Sequence, residues 1–290
     1  MKSEKEKEGI RLLIDHVTLA AEELEAARRR FAELGLATDY GGVHSNGVTH
    51  MALLGFDDGS YVELISTIEP GLRSPLWDGQ LHDNAGPAAW AVRAPDLAAE
   101  QRRLGEAGIR STGPVSMTRA RADGVSLAWD LLFPGDAPPG ATLPFSIKDR
   151  TPRDLRVKPS ESVAGGDLTG VAQIVIGVHA IDVAAAVFRQ AYGWPDPTTS
   201  ENAGLGARVA MFERTPVALA EPSADAGWLA ERLARYGESP AAFILAASDQ
   251  DRTASRLPLL RPERWLGGEL AWIDPARLFG WRMGLLFGSS

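Results

Sequence analysis

The chain contains no cysteine. Disulfides, thiolate nucleophiles and cysteine-ligated zinc or iron–sulfur centres are therefore excluded, and any metal would have to be held by histidine or carboxylate. The same absence fits a cytoplasmic protein. No run approaches the roughly 18 apolar residues that a membrane-crossing helix needs. The start, M-K-S-E-K-E-K-E-G-I, lacks an apolar signal core and reads as a solvated tail. Positive charge is also in deficit. With 30 Lys and Arg against 38 Asp and Glu, the formal charge of −8 argues against a nucleic-acid footprint, which would want a basic face.

What is present is the composition of a soluble globular chain, 44% apolar and 23% charged, with 290 residues for one large domain or two ordinary ones. The chemistry-bearing residues gather early. His44 to Glu63 (H-S-N-G-V-T-H-M-A-L-L-G-F-D-D-G-S-Y-V-E) holds two histidines, two turn signals and a strand-borne carboxylate, and His16 lies upstream in I-D-H-V-T-L. Those are three of the chain's five histidines, so the functional site is expected there.

Leu12 to Leu19 is rich in branched residues and reads as a strand. Leu24, Ala27, Phe31 and Leu34 recur at helical spacing, closed by Gly35. Strands to His44, from Val48 to Phe56 and from Ser60 to Thr67 follow, parted by Asn46-Gly47 and Asp57-Asp58-Gly59. This strand–helix–three-strand order recurs from Ala88, Val171 and Ala241, and such repeats bear on the whole fold. A polar, Pro- and Gly-rich stretch, D-R-T-P-R-D-L-R-V-K-P-S-E-S-V-A-G-G-D, reads as a crossing or linker. The expectation is an α+β protein of tandem βαβββ modules forming two curved mixed-sheet domains, residues 1–150 and 165–290, with helices on the outer face. Strand alternation puts Val17, Leu19, Val62 and Leu64 toward the helices and His16, Tyr61 and Glu63 toward the groove.

Four such modules resemble the vicinal oxygen chelate superfamily, which includes glyoxalase I, extradiol dioxygenases and bleomycin-resistance proteins. I-D-H-V-T-L-A, G-G-V-H-S-N-G-V-T-H and G-S-Y-V-E-L-I in module one, with R-A-R-A-D-G-V-S-L-A-W in module two, are similar to its glyoxalase-like domain family. The second half matches in module order alone. The resemblance implies metal ligands on the first and fourth strands of each module: His16 and Glu63 in module one, Trp90 and Asp130 in module two. In the second half those positions fall on Gln173 and Phe243 and on apolar residues or Arg282, so that half is expected to be a metal-less copy.

Tryptophan cannot ligate. The expected metal set is therefore His16 and Glu63, with His50 substituting if it faces inward; one divalent ion of unspecified identity is the cofactor implied, and no nucleotide. The alternative is that His16 and Glu63 are a hydrogen-bonded pair without metal, still able to act as a general base and its partner. His44, Tyr61, Trp90, Arg119 and Trp129 are expected substrate contacts, although Tyr61 and Trp90 are as well explained as core and for Trp129 the core reading is favoured. Of Arg119 and Arg121 one should face the groove, where it could clamp a carboxylate. His82 and His179 read as exposed.

The function expected is a lyase or isomerase acting on a compact oxygenated substrate, with His16, Glu63 and His50 as catalytic residues, but not glyoxalase I itself. A non-catalytic binding or resistance protein is the alternative, and a ring-cleaving dioxygenase built on His16, His50 and Glu63 the third. Expected partners are a small molecule and at most a second copy in a homodimer, with no nucleic acid and no membrane.

Overall fold

The computed structural model describes residues 10–121, 123–265 and 268–288; the tail read at residues 1–9 lies outside them. In the first half, β1 (Ile14–Ala20), α1 (Leu24–Glu33), β2 (Asp39–Val43), β3 (Thr49–Gly55) and β4 (Tyr61–Thr67) form one module. After α2 (Asp78–His82), a second follows: β5 (Gly86–Arg93), α3 (Leu97–Glu106), β6 (Ser111–Ala120), β7 (Ser126–Pro134) and β8 (Phe145–Asp149). The eight strands make one curved mixed sheet in the order β2-β3-β4-β1-β5-β8-β7-β6. A bridge between His44 and Arg119 links its two outer strands, so the sheet nearly closes on itself.

The second half, beyond a helical turn α4 (Arg153–Arg156), repeats the plan with β9 (Leu168–Gly177), α5 (Ile181–Tyr192), β10 (Thr198–Asn202), β11 (Ala207–Met211) and β12 (Val217–Pro222). After α6 (Trp228–Tyr236) come β13 (Ser239–Ala247), α7 (Gln250–Arg256), β14 (Glu263–Trp265), β15 (Gly268–Trp272) and β16 (Arg282–Gly288). Its sheet order, β10-β11-β12-β9-β13-β16-β15-β14, is that of the first half term by term. No helix among the described residues is long and apolar enough to cross a membrane.

Alternation decides which residues meet the helices. Val17, Leu19, Val62 and Leu64 pack against Leu24, Ala27 and Phe31 of α1 as expected, in a core that continues into the second half through Ile174, Phe243 and Leu285. Burying such side chains contributes roughly 1.5–3 kcal/mol each. Polar ties cross between the halves as well. Arg232 of α6 donates to the carbonyls of Ala85 and Pro87, and Trp281 Nε1 donates to Asn84 O at 2.8 Å.

One assignment is corrected here. The fourth strand of module two is β8, not the strand carrying Asp130, which lies on β7 and accepts a hydrogen bond from Ser116 Oγ at 2.6 Å. The Pro- and Gly-rich stretch between the halves contains α4, whose arginines reach the first sheet. They meet the buried Asp15 and the half-buried Asp149, a tie that no local pattern announces.

Candidate functional site

The first sheet encloses a cavity of about 90 Å³ on the face away from α1. By the roughly 10–15 Å³ that one water occupies on this measure, it holds several waters or a compact organic molecule. His16, His44, Tyr61, Glu63, Arg119 and Trp129 all line it. Two expected contacts do not. His50 shares its face with Ala52 and Leu54 as alternation requires, but that face is the one behind the sheet, where His50 meets the ring edge of Tyr40. The pairing of Met51 with Ile65 and of Leu53 with Glu63 settles it, because the residues opposite the cavity-facing strand positions are the odd-numbered ones. Trp90 is likewise in the core, fully buried, with Nε1 donating to Thr142 O at 2.9 Å. Its partner across β1 is Val17, so the cavity-facing positions of β5 are Ala89 and Ala91.

His16 is held by a neighbour that strict alternation would send to the other side. Between Ile14 and His16 the pairing with β5 shifts by one, which makes Asp15 the extra residue of a bulge. Its carboxylate accepts a hydrogen bond from His16 Nδ1 at 2.8 Å. Arg156 also donates to both Asp15 oxygens, at 3.0 and 2.9 Å, and Arg153 donates to Oδ2. Burial would raise the Asp15 carboxyl, but the charge of Arg156 and the His16 hydrogen bond outweigh it and hold it well below the usual carboxylate range. An ionised carboxylate can only accept, so the proton on neutral His16 resides on Nδ1. In that neutral form Nε2, on the cavity side, carries no proton.

Glu63 stands opposite, its Oε2 3.9 Å from His16 Nε2 and its Oε1 3.6 Å from His44 Nε2. Thr18 Oγ1 donates to Oε2 at 2.9 Å. Burial pushes this carboxyl up, whereas the hydrogen-bonding and charge influence of His44, the influence of His16 and the Thr18 hydroxyl pull it down, to about 2. Glu63 is an anion at neutral pH. His44 is braced from behind, with Nδ1 and Thr49 Oγ1 2.9 Å apart, and Asn46 fixes the hairpin by accepting from Val48 N and Thr49 N.

Tyr61 stacks on the His16 ring with centroids 4.7 Å apart, and its oxygen accepts from Arg156 Nη1 at 2.9 Å. Burial, partly offset by Arg156, keeps the phenol protonated far above its ordinary range. The protonated phenol therefore keeps an O–H to donate. Arg119 is the guanidinium that faces inward; Arg121 pairs instead with Asp123 at 2.6 Å. Room for Arg119 beside Met51 depends on Gly41, where a Cβ would fall 2.0 Å from Met51 Sδ. Apart from Arg119 on β6, the wall supplied by module two is apolar: Met117, Trp129, Leu131, Phe145 and Ile147. Asp15, Thr18 and Arg156 are site residues that the sequence reading does not single out. A charged residue inside the branched run I-D-H-V-T-L is a usable signal for Asp15; Arg156 carries none.

The residues present do not fit the metal that the resemblance implies. Module two offers Ala89, Ala91, Phe145 and Ile147 where donors would be needed, and His50 is behind the sheet. Among the described residues no group of three or more histidines and carboxylates has the geometry to hold an ion. In the second half Gln173 takes the His16 position and accepts from Trp265 Nε1 at 2.7 Å, while Ala218 takes that of Glu63. Leu229 and Leu233 of α6 fill that groove.

A sequence profile of the glyoxalase-like domain family matches residues 14–192, and the chain belongs to that family. No curated protein matches it. Among solved structures, a hypothetical protein from Staphylococcus aureus superposes with a TM-score of 0.60 at 14% identity, over 94% of this chain and 98% of that one. This likeness shows the shared two-sheet fold. Methylmalonyl-CoA epimerase from Mycobacterium tuberculosis gives 0.39 at 19% identity, over 44% of this chain and 93% of that one. The Streptomyces coelicolor epimerase in complex with 2-nitronate-propionyl-CoA gives 0.37 at 24%, over 42% and 99%.

Proposed function

We propose that the first-half cavity catalyses proton transfer at a carbon next to a carbonyl, the first step of a lyase or isomerase acting on a compact oxygenated substrate. The observation that carries this reading is the buried Asp15–His16 pair, whose imidazole lines the cavity with Nδ1 held by the carboxylate, so that the neutral ring offers Nε2 as a base. His16 Nε2 takes the proton as the C–H bond breaks, and the electron pair moves into an enolate. Asp15 stabilises the imidazolium formed. The Tyr61 O–H donates to the developing oxyanion, a contribution that is largest in a site closed to water. Glu63, 3.9 Å from Nε2, can accept or return the proton at an adjacent atom, which is the relocation an isomerase needs. In a lyase the enolate instead expels a group on the next carbon.

The test is exchange of solvent deuterium into a panel of small ketones and 2-oxo acids, followed by NMR. Wild-type protein should exchange a subset of them, and H16Q should lose about a hundredfold or more of that rate. Equal rates in the two proteins would refute the reading. The apolar wall of module two supports a second reading, a protein that sequesters ligands without turning them over. Binding without exchange would favour it. The dioxygenase reading needs His50 beside His16 and Glu63, and His50 lies on the opposite face.

A further inference from the structure

Arg119 and Arg156 are both buried arginines of the first half, 4% exposed each, and their surroundings differ sharply. Arg156 meets two carboxylates, Asp15 and Asp149, with Nε 2.5 Å from Asp149 Oδ1. Arg119 meets none: no carboxylate of the described residues lies within 4.0 Å of its nitrogens. Its hydrogen bonds go to a thioether, Met51 Sδ at 2.8 Å, and to a backbone carbonyl, Arg156 O at 3.2 Å. Nε is buried with no partner at all. A guanidinium carries five N–H donors, so most of its capacity is unspent.

An unpaired buried cation is costly, by several kcal/mol when nothing compensates. Arg119 bears that cost while lining the cavity that holds His16 and Glu63. From this we infer that the natural ligand is a small organic monocarboxylate, anchored by Arg119, with its body against the apolar wall. The inference rests on the proposed function only for which cavity is used. A monoanion suits the site, because ionised Glu63 lines the same cavity and would repel a second negative charge. A carboxylate suits the fork of a guanidinium, which binds it through two parallel hydrogen bonds. The cavity volume of about 90 Å³ leaves room inside for a compact body. Trp129, Phe145 and Leu131 line the space the body would fill.

A competing account is that Arg119 is served by water from its other side, where it also lines a second, wider cavity with Arg121 and Lys158. The experiment compares benzoate with benzamide, equal in shape and different in charge, by calorimetry on the full-length protein. The expected result is that benzoate binds at least about tenfold more tightly, as befits charge-assisted hydrogen bonds. R119Q should abolish that preference, R119K should keep part of it, and K158Q in the wider cavity should leave it intact. The wild-type comparison needs no variant to fold, and thermal melting checks those that are made. Equal binding of the two probes, binding of neither, a preference that survives R119Q, or one removed by K158Q would each overturn the inference. None of these is a measurement of turnover. Deuterium exchange into neutral ketones at His16 alongside equal probe binding would sink the carboxylate and keep the proton-transfer reading, and charge-selective binding without exchange would do the reverse.

Discussion

Asp15 and His16 are adjacent on one strand, yet the carboxylate of the first accepts the Nδ1–H of the second at 2.8 Å. Adjacent strand residues ordinarily point to opposite faces; the bulge at Asp15 lets both approach the cavity side. Replacing Asp15 by Asn keeps the shape and removes the charge. Arg156 and Arg153 would lose a shared counter-ion, and loss of one partner from a buried pair costs about 3–5 kcal/mol. D15N is expected to unfold at lower denaturant by about that amount. Any exchange activity should fall by about a hundredfold or more, because the imidazole is no longer held in one tautomer.

Glu63 gives the acid stability of the protein a definite sign. Its carboxyl is held at about 2, below the 4.5 of an unperturbed glutamate. Between those values the unfolded chain binds a proton that the folded chain does not, so stability rises with pH across the window. The contribution is fully present above about pH 4.5 and is lost as pH falls through about 2. Melting curves of wild type and E63Q should therefore converge as the pH is lowered from 5 toward 2. Curves that stay parallel would show that Glu63 has no depressed pKa.

Two residues on the back of the sheet should be silent toward ligands. W90A is expected to destabilise by about 3–5 kcal/mol, as large-to-small changes at a fully buried aromatic do. Refolded W90A should bind small ligands as wild type does. H50A should alter neither binding nor, beyond about 0.5 kcal/mol, stability. W129A, on the cavity wall, should weaken binding. Calorimetry on the three variants separates the faces.

Arg232 joins the halves without a carboxylate partner among the described residues. It donates to Ala85 O at 2.8 Å, to Pro87 O and to Pro240 O, and burial lowers its pKa to about 10. R232A leaves three carbonyls without this donor, at about 1–3 kcal/mol for each one left unsatisfied. Denaturant unfolding should register a loss of at least about 2 kcal/mol. A change below about 0.5 kcal/mol would show that water takes over these carbonyls.

Much of this arrangement is legible in the sequence because strand alternation and turn chemistry are local. The parity of I-D-H-V-T-L and G-S-Y-V-E-L separates His16, Tyr61 and Glu63 from Val17, Leu19, Val62 and Leu64, and Asn46-Gly47 marks the hairpin that carries His44. Parity fails where it is not anchored to a neighbouring strand. It groups His50 correctly with Ala52 and Leu54, but which face that group takes depends on its register with β4. Trp90 is misplaced for the same reason, its face being set by Val17 across β1. Asp15 escapes because a bulge breaks the alternation from which positions are counted. Arg156 escapes because its place is fixed by a contact 141 residues away along the chain.

The tautomer of His16 tests the proposed chemistry most directly. It can be read by long-range ¹H–¹⁵N NMR on uniformly labelled protein after dialysis against a chelator, at a pH where the ring is neutral. The expected spectrum has a protonated, pyrrole-type Nδ1 and a bare, pyridine-type Nε2, with D15N losing that preference. A proton resident on Nε2 would contradict it, since His16 would then have no base to offer the cavity.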